Sequence, residues 1–378
     1  MVVTPSLILL ILFAIFSGLQ LFYYLYFFVR LAFYKNKIQV DFGKPDPVSV
    51  IICAFNEEAN LRKNLPLWLQ QNYHYNEKPF FEVLVVNDNS EDNTFYFLNE
   101  MEKEYPNLHV LHLTQKAKLI PGKKFPLSMG IKSARFEKIL LTDADCAPAS
   151  TSWLSLMSAS FSTEKRIVLG YGPYSKHAGW LNRFIRFETV HAAIQYLSFA
   201  LAKIPYMGVG RNLAYTKSLF MENKGFSAHH HITSGDDDLF INQVATAKNT
   251  AIQIDGDAFT YSEPKKTFEE WQYQKKRHLS TGKYYQKKHQ LLLGMYAISH
   301  FAFWLGFIAS LFFFKYLVVV VGIFFIRCLV HWLIFRRCFV LLKENDLIPF
   351  IWLFDIGLLF YNVRNLGSIF FKTHSHWK

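Results

Sequence analysis

The sequence predicts an α/β domain on a largely parallel sheet, with one apolar helix before it and about three transmembrane or interfacial helices after it. Three observations predict this. Pro5 to Val29 contains no charged residue, two strand-then-helix units follow one another after residue 47, and residues 291–378 contain three long apolar runs. With 51% hydrophobic and 17% aromatic residues, the chain is more apolar than a soluble protein of its 378 residues, so part of it belongs in lipid.

About 20 apolar residues cross the hydrocarbon core as a helix, which the first run supplies. A cleaved signal peptide would start basic and be shorter. Here the basic residues Arg30, Lys35 and Lys37 follow the run, which predicts an uncleaved anchor over 1–34 and a following domain, 35–290, in the cytoplasm. The remaining region, 291–378, holds Leu291 to Phe314, Tyr316 to Phe335 and Leu347 to Tyr361. Arg336, Arg337 and Lys343 would mark a second cytoplasmic loop, with Lys315 in an external turn. Asp355 interrupts the last run. An unpaired carboxylate costs a few kcal/mol at mid-bilayer, so this segment either pairs Asp355 and spans or lies along the interface. The expected location is an integral protein of a bacterial inner membrane.

The net charge of +12 invites a nucleic-acid reading, but no such module is present. Much of the excess flanks the apolar runs, as in Lys275, Lys276, Arg277, Lys283, Lys287 and Lys288, where an anionic leaflet accounts for it. Cys53, Cys146, Cys328 and Cys338 have neither metal-ligand spacing nor a disulfide pattern and read as free thiols.

Within the middle region, Pro45 and Pro47 discourage helix and Val48 to Ala54 reads as a buried strand. A helix through Leu61, Leu65 and Leu69 follows, with Asn56 as its expected cap and Glu57 and Glu58 at its positive end. Phe81 to Val86 is the next strand, Asn87 to Ser90 its turn, and another helix follows. Val110 to His112, a helix around Pro126 to Ala134, and the strand Lys138 to Thr142 complete the pattern. Open parallel sheets bind ligands beyond the carboxyl ends of their strands, so the acidic residues there are candidate ligands.

Thr142-Asp-Ala-Asp145 puts two carboxylates on such a turn. With diphosphate oxygens and water they suit a hard divalent cation, Mg²⁺ or Mn²⁺; a solvated turn is the alternative. Asp88 ends the preceding strand, where a carboxylate either binds a base or ribose or caps the next helix. Lys123 and Lys124, after Pro121-Gly122, either meet a diphosphate or form a solvated basic loop. In Asp236-Asp-Asp238 one carboxylate can take a hydroxyl proton, Asp238 can orient or cap the following helix, and Asp237 is expected in solvent. Met207 to Tyr215 offers Arg211 and Asn212 as polar contacts among small residues, against a plain strand with a glycine bulge. His229-His-His231 reads as an acceptor-side loop, since adjacent histidines share no face. Trp180 to Lys203 is either an interfacial or a buried aromatic helix.

Val48 to Glu58, Val85 to Thr94, Thr142 to Asp145 and Gly235-Asp-Asp-Asp-Leu239 together resemble the family 2 glycosyltransferases, in the family's order, over most of Val48 to Tyr285. The resemblance implies a GT-A fold, an inverting transfer, a divalent metal, and a nucleotide-diphosphate-sugar donor, a UDP- or GDP-sugar. By it, Asp88 contacts the nucleoside, Asp145 reaches the metal and diphosphate, and Asp236 is the catalytic base; Lys123, Asp143 and Arg277 are read beside them as donor-binding residues. Arg211, Asn212, Asp238, Gln274 and His278 fall on the acceptor side. Gln274-Lys-Lys-Arg-His278 resembles the processive members' Gln-x-x-Arg-Trp motif, but His278 stands in place of the tryptophan, which points to one or a few transfers. The acceptor is expected to be a membrane-associated lipid or glycan.

Overall fold

The computed structural model describes residues 4–35, 45–114 and 122–370; Lys37 and Pro121 lie outside it. The N-terminal helix α1 (Pro5–Ala32) precedes β1 (Val48–Ala54), α2 (Glu58–Leu69), β2 (Phe81–Asp88), α3 (Thr94–Glu104), β3 (Leu108–Leu113), α4 (Lys124–Ser133) and β4 (Lys138–Asp143). Next come β5 (Ile167–Leu169), α5 (Trp180–Leu201), β6 (Leu213–Thr216), α6 (Asp238–Val244), β7 (Thr250–Ile252) and α7 (Phe268–Leu279). Three long helices follow, α8 (Lys287–Ser310), α9 (Leu317–Leu341) and α10 (Ile351–Phe370).

The seven-stranded sheet runs β7-β5-β6-β4-β1-β2-β3, with β6 antiparallel to both neighbours and the other pairs parallel. All seven residues of β1 are buried, as a central strand covered on both faces requires. The register sets Cys53 beside Asp143 and Ala54 beside Asn87, so the carboxyl ends of β1, β2 and β4 finish level on one edge. One face packs on α2 through Leu61, Leu65 and Trp68. The other packs on α4 and on α5, which carries Ile185, Val190 and Ile194.

Helix α5 is a buried aromatic helix rather than one lying on an interface. Phe199 stacks on Phe27 of α1 with ring centroids 4.3 Å apart, and only its first residue, Trp180, is strongly exposed. Asn56 is not the cap of α2. It adopts a left-handed φ of 54° and accepts the Glu91 N–H at 2.7 Å, while Asp92 from the neighbouring loop receives the N–H groups of Glu58 and Thr94. One carboxylate thus caps two helices, an arrangement the local sequence does not encode.

Four described helices, α1, α8, a segment containing α9 and another covering most of α10, are long and apolar enough to cross a membrane. Lys315 falls in the short turn between α8 and α9. Asp355 is buried. Arg327 of α9 donates to it at 3.0 Å, the Trp304 indole at 3.3 Å, and the His300 imidazole lies 3.0 Å away. Arg327 also donates to Gln20 of α1, so a polar knot joins all four helices and removes the charge penalty that made the last segment ambiguous. The α/β part is tied to this bundle by Arg186 of α5, whose guanidinium bridges Glu344 and Asp346 beyond α9.

Candidate active site

Beyond the level strand ends lies a cavity of about 870 Å³, walled by the sheet edge, α5, the start of α6, α7 and the upper parts of α8 and α10. Asp143, Asp145, Lys123, Arg211, Asp236, Asp237, Asp238, Gln274, Arg277 and His278 all line it. Residues nearly 160 positions apart in sequence therefore share one chamber. Asp88 stands two strands away, at the carboxyl end of β2, outside this lining.

Asp143 and Asp145 leave β4 with their carboxylates near the Cys146 thiol, one ligand atom of each lying within 4.8 Å of the others. Lys123, on the same wall of the chamber, forms an ion pair with Asp143. Burial favours the neutral form of both partners, but their attraction overrides it, holding Lys123 well above its ordinary range and Asp143 below its own. The Cys146 thiol is pushed far up by burial and then by Asp145, so it stays a neutral, soft group. Two half-buried carboxylates opening on a cavity fit a hard cation that takes its remaining ligands from phosphate and water. Cys146 does not fit that donor set.

The acidic triplet is differentiated by its partners. Asp237 accepts the N–H groups of Gly210 and Asp238, both at 2.7 Å, and is the N-cap of α6 rather than a solvated side chain. Burial, then repulsion from Asp236 and Asp238, raises its carboxyl to about 7. Asp238 accepts the hydroxyls of Thr281 and Tyr285, the latter at 2.7 Å, tying α6 to the segment after α7; burial raises it too. The carboxylate of Asp236 takes no hydrogen bond among the described residues. Gly235 supplies the backbone turn, with φ +93° and no room for a Cβ against Leu239.

Lys124 is not in a solvated loop. It is fully buried and donates to the carbonyls of His229, Ile232 and Ser234 at 2.9, 2.6 and 2.6 Å, so it holds the segment leading to Asp236. Asn212, expected on the acceptor side, is also buried. It donates to the carbonyls of Tyr171 and Ala258 and accepts the Trp153 indole N–H, which spends it on joining three segments distant in sequence. Arg211 does face the cavity, lying 4.3 Å from the Tyr174 ring centroid and donating to Ser262. Gln274 accepts from Tyr174 at 3.4 Å. His278 lies on the open wall of α7.

Sequence reasoning missed Glu188 and His191 of α5 and the cavity face of α8 and α10. Glu188 forms a half-buried ion pair with Lys275, so that lysine is turned inward rather than toward a membrane surface. The spacing of Glu188 and His191, three apart on one helical face, is the signal that was available.

A seven-stranded mixed sheet with a carboxylate-bearing cleft at its strand ends defines a GT-A-type domain, joined to helices long and apolar enough to cross a membrane. Residues 49–222 match the family described as "Glycosyl transferase family 2", so the chain carries a domain of that kind. It is 27% identical over 246 residues to the probable glycosyltransferase YdaM of Bacillus subtilis, covering 63% of this chain and 55% of that protein. It is 35% identical over 133 residues to the beta-monoglucosyldiacylglycerol synthase of Nostoc, covering 34% of this chain and 26% of that one. The chain thus spans about a quarter to just over half of these relatives. Among solved structures, the mannosyltransferase PcManGT of Pyrobaculum calidifontis superposes with a TM-score of 0.58 over 94% of this chain and 99% of that one, at 16% identity.

Proposed function

We propose that the protein is an inverting, metal-dependent glycosyltransferase that moves a sugar from a nucleotide-diphosphate sugar to a lipid or glycan acceptor at the cytoplasmic face of a bacterial inner membrane. The observation that carries this is the division of labour in one chamber. Among the described residues Asp236 is left without a hydrogen bond, while Asp237 and Asp238 are spent on holding α6 in place.

Asp143 and Asp145 would hold the divalent cation, Mg²⁺ or Mn²⁺, which offsets charge on the departing diphosphate. PcManGT, which shares the fold, is in complex with GDP-Man and Mn²⁺, in keeping with this donor and metal. Lys123, on the same wall, and Arg277 bring positive charge toward the diphosphate, and Asp88 contacts the nucleoside. On the opposite side Asp236 takes the acceptor hydroxyl's proton as the anomeric carbon is attacked from the face away from the leaving group. Arg211, Gln274 and His278 line the acceptor approach. Without the tryptophan of the processive motif at His278, one or a few transfers are favoured over long-chain synthesis.

The test is a binding screen of UDP- and GDP-sugars against the purified protein with Mn²⁺, Mg²⁺ or chelator, followed by transfer assays with the donor that binds. Metal-dependent stabilisation by one donor is the expected result. No binding by any nucleotide-sugar would overturn the reading.

A further inference from the structure

The segment between α7 and α8 and the first turn of α8 carry Lys283, Lys287 and Lys288, all exposed, with Lys283 lying 5.2 Å from the Tyr284 ring centroid. None of the three belongs to an ion pair among the described residues, in contrast to Lys275, which is spent on Glu188. Stability does not account for them. The positive end of a helix dipole repels cations, and the first turn of α8 holds no acidic residue to offset Lys287 and Lys288. Immediately beyond them the outward surface of α8 turns apolar, with Leu291 and Ile298 each 63% exposed. In a chain whose α8 crosses the bilayer, as the reading above has it, these lysines and Tyr284 stand where the apolar helix meets the headgroups. The charge that matches them there is anionic.

The same segment is fastened to the acidic triplet and its helix. Thr281 and Tyr285 both donate to Asp238, the latter at 2.7 Å. The Gln286 N–H donates to the side-chain oxygen of Asn242 at 2.8 Å, which fixes that amide so that its nitrogen meets Nδ1 of His289 at 2.9 Å. Gln290 closes the segment on itself, donating to the carbonyls of Lys283 and Tyr285 at 2.9 and 2.7 Å. Asp238 and Asn242 both belong to α6, and Asp236 stands just before it. Both are buried, so water does not stand in readily for a bond that loosens. A change in the position of the lysines is therefore felt by the helix that presents Asp236.

We infer that Lys283, Lys287 and Lys288 form a contact surface for acidic phospholipid, and that this contact steadies α6 and raises the turnover of the site. The inference rests on the membrane-bound transferase reading above and adds its regulation. In a neutral bilayer the three cations have only their mutual repulsion, which loosens their segment and, through Tyr285 and Gln286, α6. Acidic headgroups attract the cations instead, and a lipid surface that favours one arrangement of the segment shifts the population toward it. The apolar surface that follows Lys288 directly favours a lipid partner over an acidic soluble one.

The test places the full chain in nanodiscs of phosphatidylcholine, with and without about 30% phosphatidylglycerol, an anionic fraction that gives the surface its negative potential. Two quantities are measured: amide hydrogen exchange of α6 and of residues 283–290, and turnover of the donor chosen by the binding screen. In the wild type, phosphatidylglycerol should slow exchange in α6 and raise turnover, each by about threefold or more. The triple variant Lys283→Gln, Lys287→Gln, Lys288→Gln should match the wild type in phosphatidylcholine and lose the response to phosphatidylglycerol. The triple Lys→Arg variant, which keeps the charge, should retain it, as should Lys315→Gln in the turn at the other end of α8. An α6 in the wild type whose exchange ignores phosphatidylglycerol would overturn the inference, as would a wild-type response in the triple Gln variant. Failure of every donor to bind would overturn the transferase reading instead, and the exchange measurement would still decide the lipid contact.

Discussion

Replacing Asp236 by Asn separates a catalytic base from a structural carboxylate. The amide keeps the shape but cannot accept a proton, and loss of a general base costs about 10²–10⁴-fold in rate. At about 1.4 kcal/mol per decade this is about 2.7–5.4 kcal/mol of barrier. Folding should not share that loss. Among the described residues Asp236 makes no hydrogen bond that Asn would break, and its charge adds to the repulsion that lifts Asp237 to about 7. The variant should therefore melt at or slightly above the wild-type temperature and bind donor with wild-type affinity, because Asp143 and Asp145 are untouched. Transfer rate, donor affinity and melting temperature measured on one preparation decide the matter. Transfer within threefold of wild type would refute the assignment, and a larger loss in Asp238→Asn than in Asp236→Asn would move the base to Asp238.

Asp145→Asn should abolish the metal dependence of donor binding in a folded protein, checked by titrating Mn²⁺ at fixed donor; unchanged dependence would remove Asp145 from the metal site. Lys124→Met leaves three carbonyls without their donor, costing about 1–3 kcal/mol for each group left buried and unsatisfied. It should lower kcat more than donor affinity, and equal kcat in a destabilised protein would confine Lys124 to stability. For Asp237, the folded carboxyl near 7 lies above its unfolded value, so its contribution to stability is fully present below about pH 4 and is lost as pH rises through 7. Asp237→Asn cannot titrate, and its melting temperature relative to wild type should climb between pH 5 and 8; a constant difference would contradict the raised value.

What could be read without a structure was whatever repeats locally. An alternation of buried strand and amphipathic helix identifies the parallel sheet, because each pattern is set by residues within a few positions of one another. A sheet whose parallel strands end level then gathers Asp88, Asp143 and Asp145 on one edge, and the apolar runs announce the long helices by length and composition alone. What each polar side chain does was decided by partners distant in sequence. Lys124 and Asn212 looked like contacts for a ligand, yet carbonyls 41 to 110 residues away along the chain consume them. Asp355 looked misplaced until Arg327 and His300 arrived from two other helices. Buried polar groups must be satisfied by whatever tertiary packing brings near, and that proximity is not periodic in sequence.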